Sequence, residues 1–198
     1  SAGVIFYRLL TGHVPFEAPT IEELVAESKV QLEVEMFSDH GNRFDDYKHV
    51  KLNDAIHSAG FVTEKSVKSD RSVVLPKYGL VGSSMLFTRP ENRSKLAQAC
   101  AAAEGVDFAL YMSNENTVEL LSHRGRARVI REEGRFRYED LGGDPLDLAH
   151  IVEAMCSRNT IDHNGFASSE EWWQATKAHR YADPLRRVFD GFEKYVKN

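Results

Sequence analysis

Three or four short strand-like segments with turn residues between them lie close together in this chain, and they limit its fold more than any other feature. They span residues 107–112, 117–122, 127–131 and 135–139. Between them lie turn-forming residues: Asn114 to Asn116, His123 to Gly125, and the pair Glu133-Gly134. Turns this short join antiparallel neighbours, so the segments indicate a meander of strands. Together with a helix predicted over residues 91–103, they predict a small α+β unit of antiparallel strands.

The first ninety residues follow a different order, in which helical and strand patterns alternate. The apolar spacing predicts helices near residues 3–12, 20–28 and 48–59, and strands near residues 30–37, 73–75 and 80–88. Alternating helices and strands are typical of an α/β protein. We therefore expect an α/β fold with a mixed, largely parallel sheet and helices on its faces, into which the α+β unit is inserted.

The remainder of the chain has helical patterns alone. Helices are predicted over residues 146–156, around Trp172 and Trp173 with Ser168 or Ser169 as the N-cap, and over residues 184–196. The chain thus divides into three predicted parts: a partial α/β core at 1–90, the α+β insert at 91–145, and a helical part at 146–198 that packs on the core.

The overall composition excludes several classes of protein. The chain of 198 residues is 42% hydrophobic, which is enough for a packed core, but it lacks the run of about 20 apolar residues that a membrane span needs. No secretory signal pattern is present, so we predict a cytoplasmic protein without a membrane partner. The net charge of −5 argues against nucleic acid as the main partner, because phosphate binding requires an excess of Lys and Arg. Two cysteines are too few for a disulfide scaffold.

The sharpest local signal is Ser38-Asp39-His40-Gly41, which ends the strand predicted at 30–37. In parallel α/β sheets, ligands bind at the carboxyl ends of strands. A carboxylate and an imidazole at such an end suit zinc, manganese or iron, so we predict Asp39 and His40 as ligands of a divalent metal, zinc or manganese. Two ligands are fewer than the roughly three or four of a zinc site. The alternative is an ordinary turn in which Asp39 accepts backbone hydrogen bonds and Gly41 takes a positive φ.

The segment Phe37-Ser38-Asp39-His40-Gly41-Asn42 resembles the second metal motif of the alkaline phosphatase superfamily, which includes phosphodiesterases, sulfatases and phosphoglycerate mutases. Further segments are similar to a bacterial branch of that superfamily, so that the resemblance covers about residues 20–198: 59–61, 78–82, 143–146 and 171–189. The resemblance implies that Asp39 and His40 bind one of two metal ions.

The resemblance also implies a function. Members of the superfamily hydrolyse phosphate or sulfate esters with a Ser or Thr nucleophile, an upstream Asp-x-x-x-His ligand pair and a late His, and none of these stands at a matching place here. We therefore expect a fragment of a metal-dependent hydrolase that is inactive alone, whose full-length form acts on a small-molecule ester. The alternative is a non-catalytic α/β scaffold or interaction module with a structural Asp-His turn. The substrate and the oligomeric state are not predicted.

Residues 1–27 carry a second resemblance, through a pattern that runs from Ser1 to Phe16. Their pattern, with Gly3, Tyr7, Gly12 and Pro15, is similar to the buried helix and following loop in the C-lobe of Ser/Thr protein kinases. In kinases this segment is structural, and the sequence has no glycine-rich loop, His-Arg-Asp or Asp-Phe-Gly motif, so the resemblance transfers no catalytic residue. A fused or mis-assembled reading frame is an alternative origin for this segment.

Several other residues have two interpretations. His49 is either a further metal ligand or a surface residue, and His163 belongs either to a second Asp-His turn or to a capped loop; the surface and loop interpretations are favoured. Alternation of Arg124, Arg126 and Arg128 predicts one exposed basic face, which we expect to be solvated rather than to bind an anion.

Overall fold

The structure, a computed structural model, describes residues 49–76 and 82–196. Within these ranges the chain is a mixed α/β protein, as predicted. The helices are α1 (Leu52–Ser58), α2 (Arg93–Ala101), α3 (Ala149–Ser157), α4 (Ser169–Thr176) and α5 (Pro184–Val196), with a 3₁₀ turn at Pro90–Asn92. The strands are β1 (Val62–Thr63), β2 (Ser72–Val73), β3 (Ala109–Asn114), β4 (Thr117–Ser122), β5 (Gly125–Glu132), β6 (Arg135–Asp140) and β7 (Ala167–Ser168).

The main sheet has five strands in the order β3-β4-β5-β6-β7, and every neighbouring pair in it is antiparallel. The four strands β3 to β6 form the antiparallel meander that the strand-like segments and their turns predict, so that prediction is confirmed. The added strand β7 pairs only two of its residues with β6, at Arg135 and Phe136. Because two residues show no alternation, β7 is not visible in the sequence pattern.

The expected largely parallel sheet is not supported by the described residues. Parallel pairing there is confined to β1 and β2, which match Val62 with Ser72 and Thr63 with Val73. Beyond β2, Val74 pairs with Phe87 in an antiparallel bridge. The turns between successive strands from β3 to β6 have two residues each, and so short a connection reverses the chain and makes the neighbouring strands antiparallel. The strand predicted at 30–37 lies outside the described residues.

One face of the main sheet carries the larger core. We call it the inner face; its side chains include Val118, Leu120, Val129 and Phe136, which pack against the chain from Leu146 onward. The buried helical partners include Met155, Trp172, Leu185 and Phe189. Residues of the predicted insert and of the predicted helical part therefore share one core, and the three-part division itself stays a prediction.

The other face, the outer face, is covered at one end by α2. Ala97 and Ala101 of this helix contact Leu121 on β4, with Tyr111 of β3 at the edge of the cluster. Alanines allow a helix to lie close to a sheet, because their side chains add little thickness. The neighbouring stripe of α2 places Leu96 and Cys100 in a separate cluster, whose other members are Ile56, Phe61 and Val73.

Two glycines fix the point where β5 begins and β6 ends. A Cβ on Gly125 would lie 1.9 Å from the carbonyl oxygen of Gly142, and a Cβ on Gly143 would lie 1.9 Å from that of Arg124. The contacted atoms belong to the backbone, so neither clash can be relieved by moving a side chain. Gly143 also has a φ of 86°, which residues with a side chain rarely adopt.

The helical predictions for the last part of the chain are confirmed. Helix α5 has the predicted bounds, and α4 begins at Ser168 with a capping box: the Ser168 hydroxyl accepts the Glu171 amide, while the Glu171 carboxylate accepts the Ser168 amide. Trp172 is 1% exposed and Trp173 is 40% exposed, as expected for adjacent helical residues that point apart. No helix in the described ranges is long and apolar enough to cross a membrane.

The capping box gives a test of this helix start. We expect Ser168→Ala to lower the free energy of unfolding by about 1 kcal/mol, because the first turn of α4 loses an acceptor and the Glu171 carboxylate loses a partner. Urea unfolding followed by circular dichroism measures the change. Ser169→Ala, one residue further on, is the matched control and should have little effect; an equal loss in both variants would contradict the capping role of Ser168.

Candidate functional site

The two predicted metal ligands, Asp39 and His40, lie outside the described residues, so their prediction is not tested by the structure. His49 is exposed at the start of the first described range. Among residues 49–76 and 82–196, no group of three or more His, Cys, Asp or Glu side chains is arranged to hold a metal ion.

The second Asp-His pair, Asp162-His163, forms a capped loop. Oδ1 of Asp162 accepts the backbone N–H groups of Asn164 and Phe166, each at 2.9 Å. Its Oδ2 accepts from Nη1 of Arg135 at 2.6 Å. The amide of Phe166 is the main cause that holds the pKa of Asp162 below its usual value. With the carboxylate used in this way, the loop interpretation is confirmed.

The arginines of β5 differ from one another in their surroundings. Arg128, on the outer face, donates from Nε to Glu119 at 2.8 Å and from Nη1 to Glu139 at 3.3 Å, across both neighbouring strands. Its hydrogen bond to Glu119 raises the pKa of the Arg128 guanidinium. Arg126 is exposed and pairs with no carboxylate in the described part of the chain. Of the three alternating arginines, Arg128 is therefore held in cross-strand ion pairs, whereas Arg126 is exposed without a carboxylate partner in the described ranges.

Arg124, in the turn before β5, joins three parts of the chain. It lies 3.0 Å from Asp107, donates to the Tyr181 hydroxyl at 3.1 Å and donates to the carbonyl of Pro145 at 2.7 Å. The Tyr181 hydroxyl in turn donates to Asp107 at 2.6 Å. Burial, followed by the bond to Asp107, raises the pKa of Tyr181, so the phenol stays protonated and bonded. The network is structural, since its donors and acceptors satisfy one another.

Asp144 holds the start of α3 against β6. Its carboxylate accepts the amides of Leu148 and Ala149 at 2.9 and 2.8 Å and the hydroxyl of Tyr138 at 2.7 Å. Burial acts to raise the pKa of Asp144, but these hydrogen bonds outweigh it, led by the Ala149 amide, and the pKa lies below its usual value. A carboxylate bonded in this way is stabilised in its charged form.

An open cleft lies between the start of α4 and the start of α5. It has a volume of about 310 Å³ and is lined by Ser169, Glu170, Trp173, Asp183 and Arg186. Asp183 is only 2% exposed. Its Oδ2 accepts from Nε and Nη2 of Arg186 at 2.6 and 2.5 Å, whereas its Oδ1 is buried without a hydrogen-bond partner.

Sequence reasoning missed Asp183. The dipeptide Asp183-Pro184 marks a helix start, and that signal predicts a cap rather than a buried carboxylate with a free oxygen. A buried polar atom without a partner is rare in folded proteins and requires an explanation. Within the described part of the chain, this cleft brings together such an atom, Oδ1 of Asp183, and an exposed aromatic side chain, that of Trp173.

Comparison of the chain with protein-family models, with curated proteins and with solved structures finds no match in any of the three.

The hydrogen bonds of Asp144 predict a dependence of stability on pH. We expect Asp144→Asn to lower the free energy of unfolding at pH 7 by about 2 kcal/mol, because hydrogen bonds to a charged group are lost. The depressed native pKa means that this contribution is complete above the unfolded value of about 3.9 and is lost as the pH falls through the native value.

Urea unfolding at pH 7 and at intervals down to pH 3 tests this expectation, and the gap between wild type and variant should narrow at acid pH. The control is Asp147→Asn, since Asp147 is exposed and also has a positive φ, 57° against 41° for Asp144. A gap that stays constant with pH would contradict the assignment.

Arg128 and Arg126 offer a matched pair on one face of one strand. We expect Arg128→Met to lower the free energy of unfolding by about 1–3 kcal/mol, because Glu119, whose side chain is 7% exposed, loses its charged partner. Arg126→Met should change it by less than about 0.5 kcal/mol. Chemical denaturation of both variants measures the difference, and equal costs would show that the Glu119 pairing does not stabilise the sheet.

Proposed function

We propose that this chain is part of a cytoplasmic, metal-dependent hydrolase of phosphate or sulfate esters, in which Asp39 and His40 bind zinc or manganese. The observation that carries the proposal is the segment Phe37-Ser38-Asp39-His40-Gly41-Asn42 at the end of a predicted strand. The proposal includes a largely parallel sheet that contains residues 30–37, because a metal turn of this type belongs at the carboxyl end of a parallel strand.

The donor set fits such an ion in type but not in number. A carboxylate oxygen and an imidazole nitrogen are ordinary ligands of zinc and manganese, yet zinc sites in proteins take about three or four protein ligands. In the proposal Asp39 supplies negative charge and His40 a neutral nitrogen, and the remaining ligands come from a longer chain. The bound metal would supply Lewis-acid chemistry at an ester oxygen. Gly41 would let the backbone turn so that both side chains face one point.

A second candidate function is that of a scaffold or interaction module. It is favoured by the outer face of the main sheet, where α2 covers only the β3 and β4 end and Arg126 is exposed beyond it. In that case Asp39 accepts backbone hydrogen bonds in its turn and His40 lies in solvent.

Metal binding distinguishes the two candidates. Equilibrium dialysis of the chain against zinc, and separately against manganese, followed by elemental analysis gives the metal bound per chain. We expect more bound metal in the wild type than in Asp39→Ala/His40→Ala, because the variant lacks both ligands.

His163→Ala is the control. His163 also follows an aspartate, but Asp162 accepts hydrogen bonds from the backbone of its own loop. Equal metal content in the wild type and in the double variant would refute the assignment of Asp39 and His40. A loss of bound metal in His163→Ala as large as in the double variant would also contradict the assignment, because a residue outside the proposed site would then matter as much as the two proposed ligands.

A further inference from the structure

We propose that the cleft between α4 and α5 binds an organic ammonium or guanidinium group, held by the carboxylates of Asp183 and Glu170 against the indole of Trp173. This inference is independent of the proposed hydrolase, since it concerns residues 169–186 and no metal.

The first argument is the free oxygen of Asp183. Both bonds from Arg186 go to Oδ2, and Oδ1 is buried without a donor. A buried carboxylate oxygen without a donor is costly, so a group that brings an N–H to it gains more than the same group gains at an exposed carboxylate. The side chain of Arg186, which pairs with Oδ2 of this carboxylate, is 50% exposed.

The second argument is the charge around the cleft. Its lining contains the carboxylates of Glu170 and Asp183 and one guanidinium, that of Arg186. Arg186 is also bound to a third carboxylate, Asp190, at 3.2 Å. Negative groups thus exceed positive ones, which favours a cation and disfavours phosphate, sulfate or a carboxylate ligand.

The third argument is the aromatic wall. Trp173 is 40% exposed, while the adjacent Trp172 is buried in the core. Tryptophan is the side chain that best attracts a cation to its face, and the attraction grows as the cation is desolvated. An indole beside two carboxylates therefore accommodates a cation that has both a charge and N–H donors, and the volume of about 310 Å³ is sufficient for such a group.

The cleft is tested by titrating the full chain, labelled with nitrogen-15, with n-butylguanidinium or n-butylammonium chloride at constant ionic strength. The chain has two tryptophans, so two indole N–H signals report on the cleft and on the core separately. We expect a saturable shift of the Trp173 signal and little shift of the Trp172 signal. n-Butanol tests the apolar chain alone, and tetramethylammonium tests a cation without N–H donors; both should bind at least roughly 3-fold more weakly.

Variants then assign the contacts. Glu170→Gln and Trp173→Leu alter exposed positions, and each should weaken n-butylguanidinium binding by roughly 3-fold or more, as followed by the amide signals of Ser169 and Arg186. Glu153→Gln makes the same change of charge at an exposed site on α3, away from the cleft lining, and should leave the affinity unchanged. Asp183→Asn should also weaken binding, and circular dichroism shows whether that variant is folded.

Two sources of the cation are separated by one further titration. A Gly-Arg-Gly peptide with blocked ends that binds as tightly as n-butylguanidinium identifies the occupant as a protein side chain, and binding of the free cation alone identifies it as a small metabolite-sized amine. No shift at Trp173 with either cation would overturn the proposal, and so would equal binding of tetramethylammonium or equal effects of Glu170→Gln and Glu153→Gln.

Discussion

The burial of Trp172 is the contact on which the described part of the molecule depends. Its side chain is 1% exposed, and its indole N–H donates to the carbonyl of Phe136 at 2.8 Å. Phe136 lies on β6 at the place where β7 pairs for only two residues, so the indole bond joins α4 to the sheet where strand pairing is shortest. The large apolar ring fills the space between the sheet and the helices, and its one polar group is satisfied, which is the condition for burying tryptophan. Trp173 can therefore face solvent and line the cleft.

The two faces of the same sheet are stabilised by different physics. The inner face excludes water with aliphatic and aromatic side chains. On the outer face, the carboxylate of Glu119 is almost fully buried, and Arg128 is positioned across the strands to neutralise it. A buried charge without a partner is far more costly than an exposed one, so this pairing favours the register of β4 and β5 that places Arg128 opposite Glu119. Among the three alternating arginines, Arg124 and Arg128 have a structural role. Arg126 has no carboxylate partner in the described ranges.

The sequence predicts some parts of this structure well because their signals are local. The strands β3 to β6 follow from short strand-like segments and the turn residues between them, and the bounds of α5 follow from a helical stripe. The direction of pairing elsewhere is not local: it depends on which segments meet, and β1, β2 and the Val74–Phe87 bridge are too short to carry a pattern. Asp183 was missed for a related reason. Asp183 is buried because α4 and α5 approach each other. In the sequence, an aspartate directly before Pro184 predicts only a helix cap. Asp39 and His40 carry a local motif, but they lie outside the described ranges, so their role as metal ligands stays a prediction.

The paired glycines at the start of β5 and the end of β6 have a consequence for recognising relatives of this chain. Gly125 and Gly143 each contact the other segment's backbone so closely that even a methyl group is excluded. A single substitution at either position cannot be rescued by shrinking the opposite residue, since that residue has no side chain to give up. A side chain is thus excluded at both positions at once, unlike at core positions, where paired changes of volume are tolerated. Two glycines with the spacing of Gly125 and Gly143, flanking two alternating strands, therefore form a signature for distant sequences that share this meander, independent of any catalytic motif.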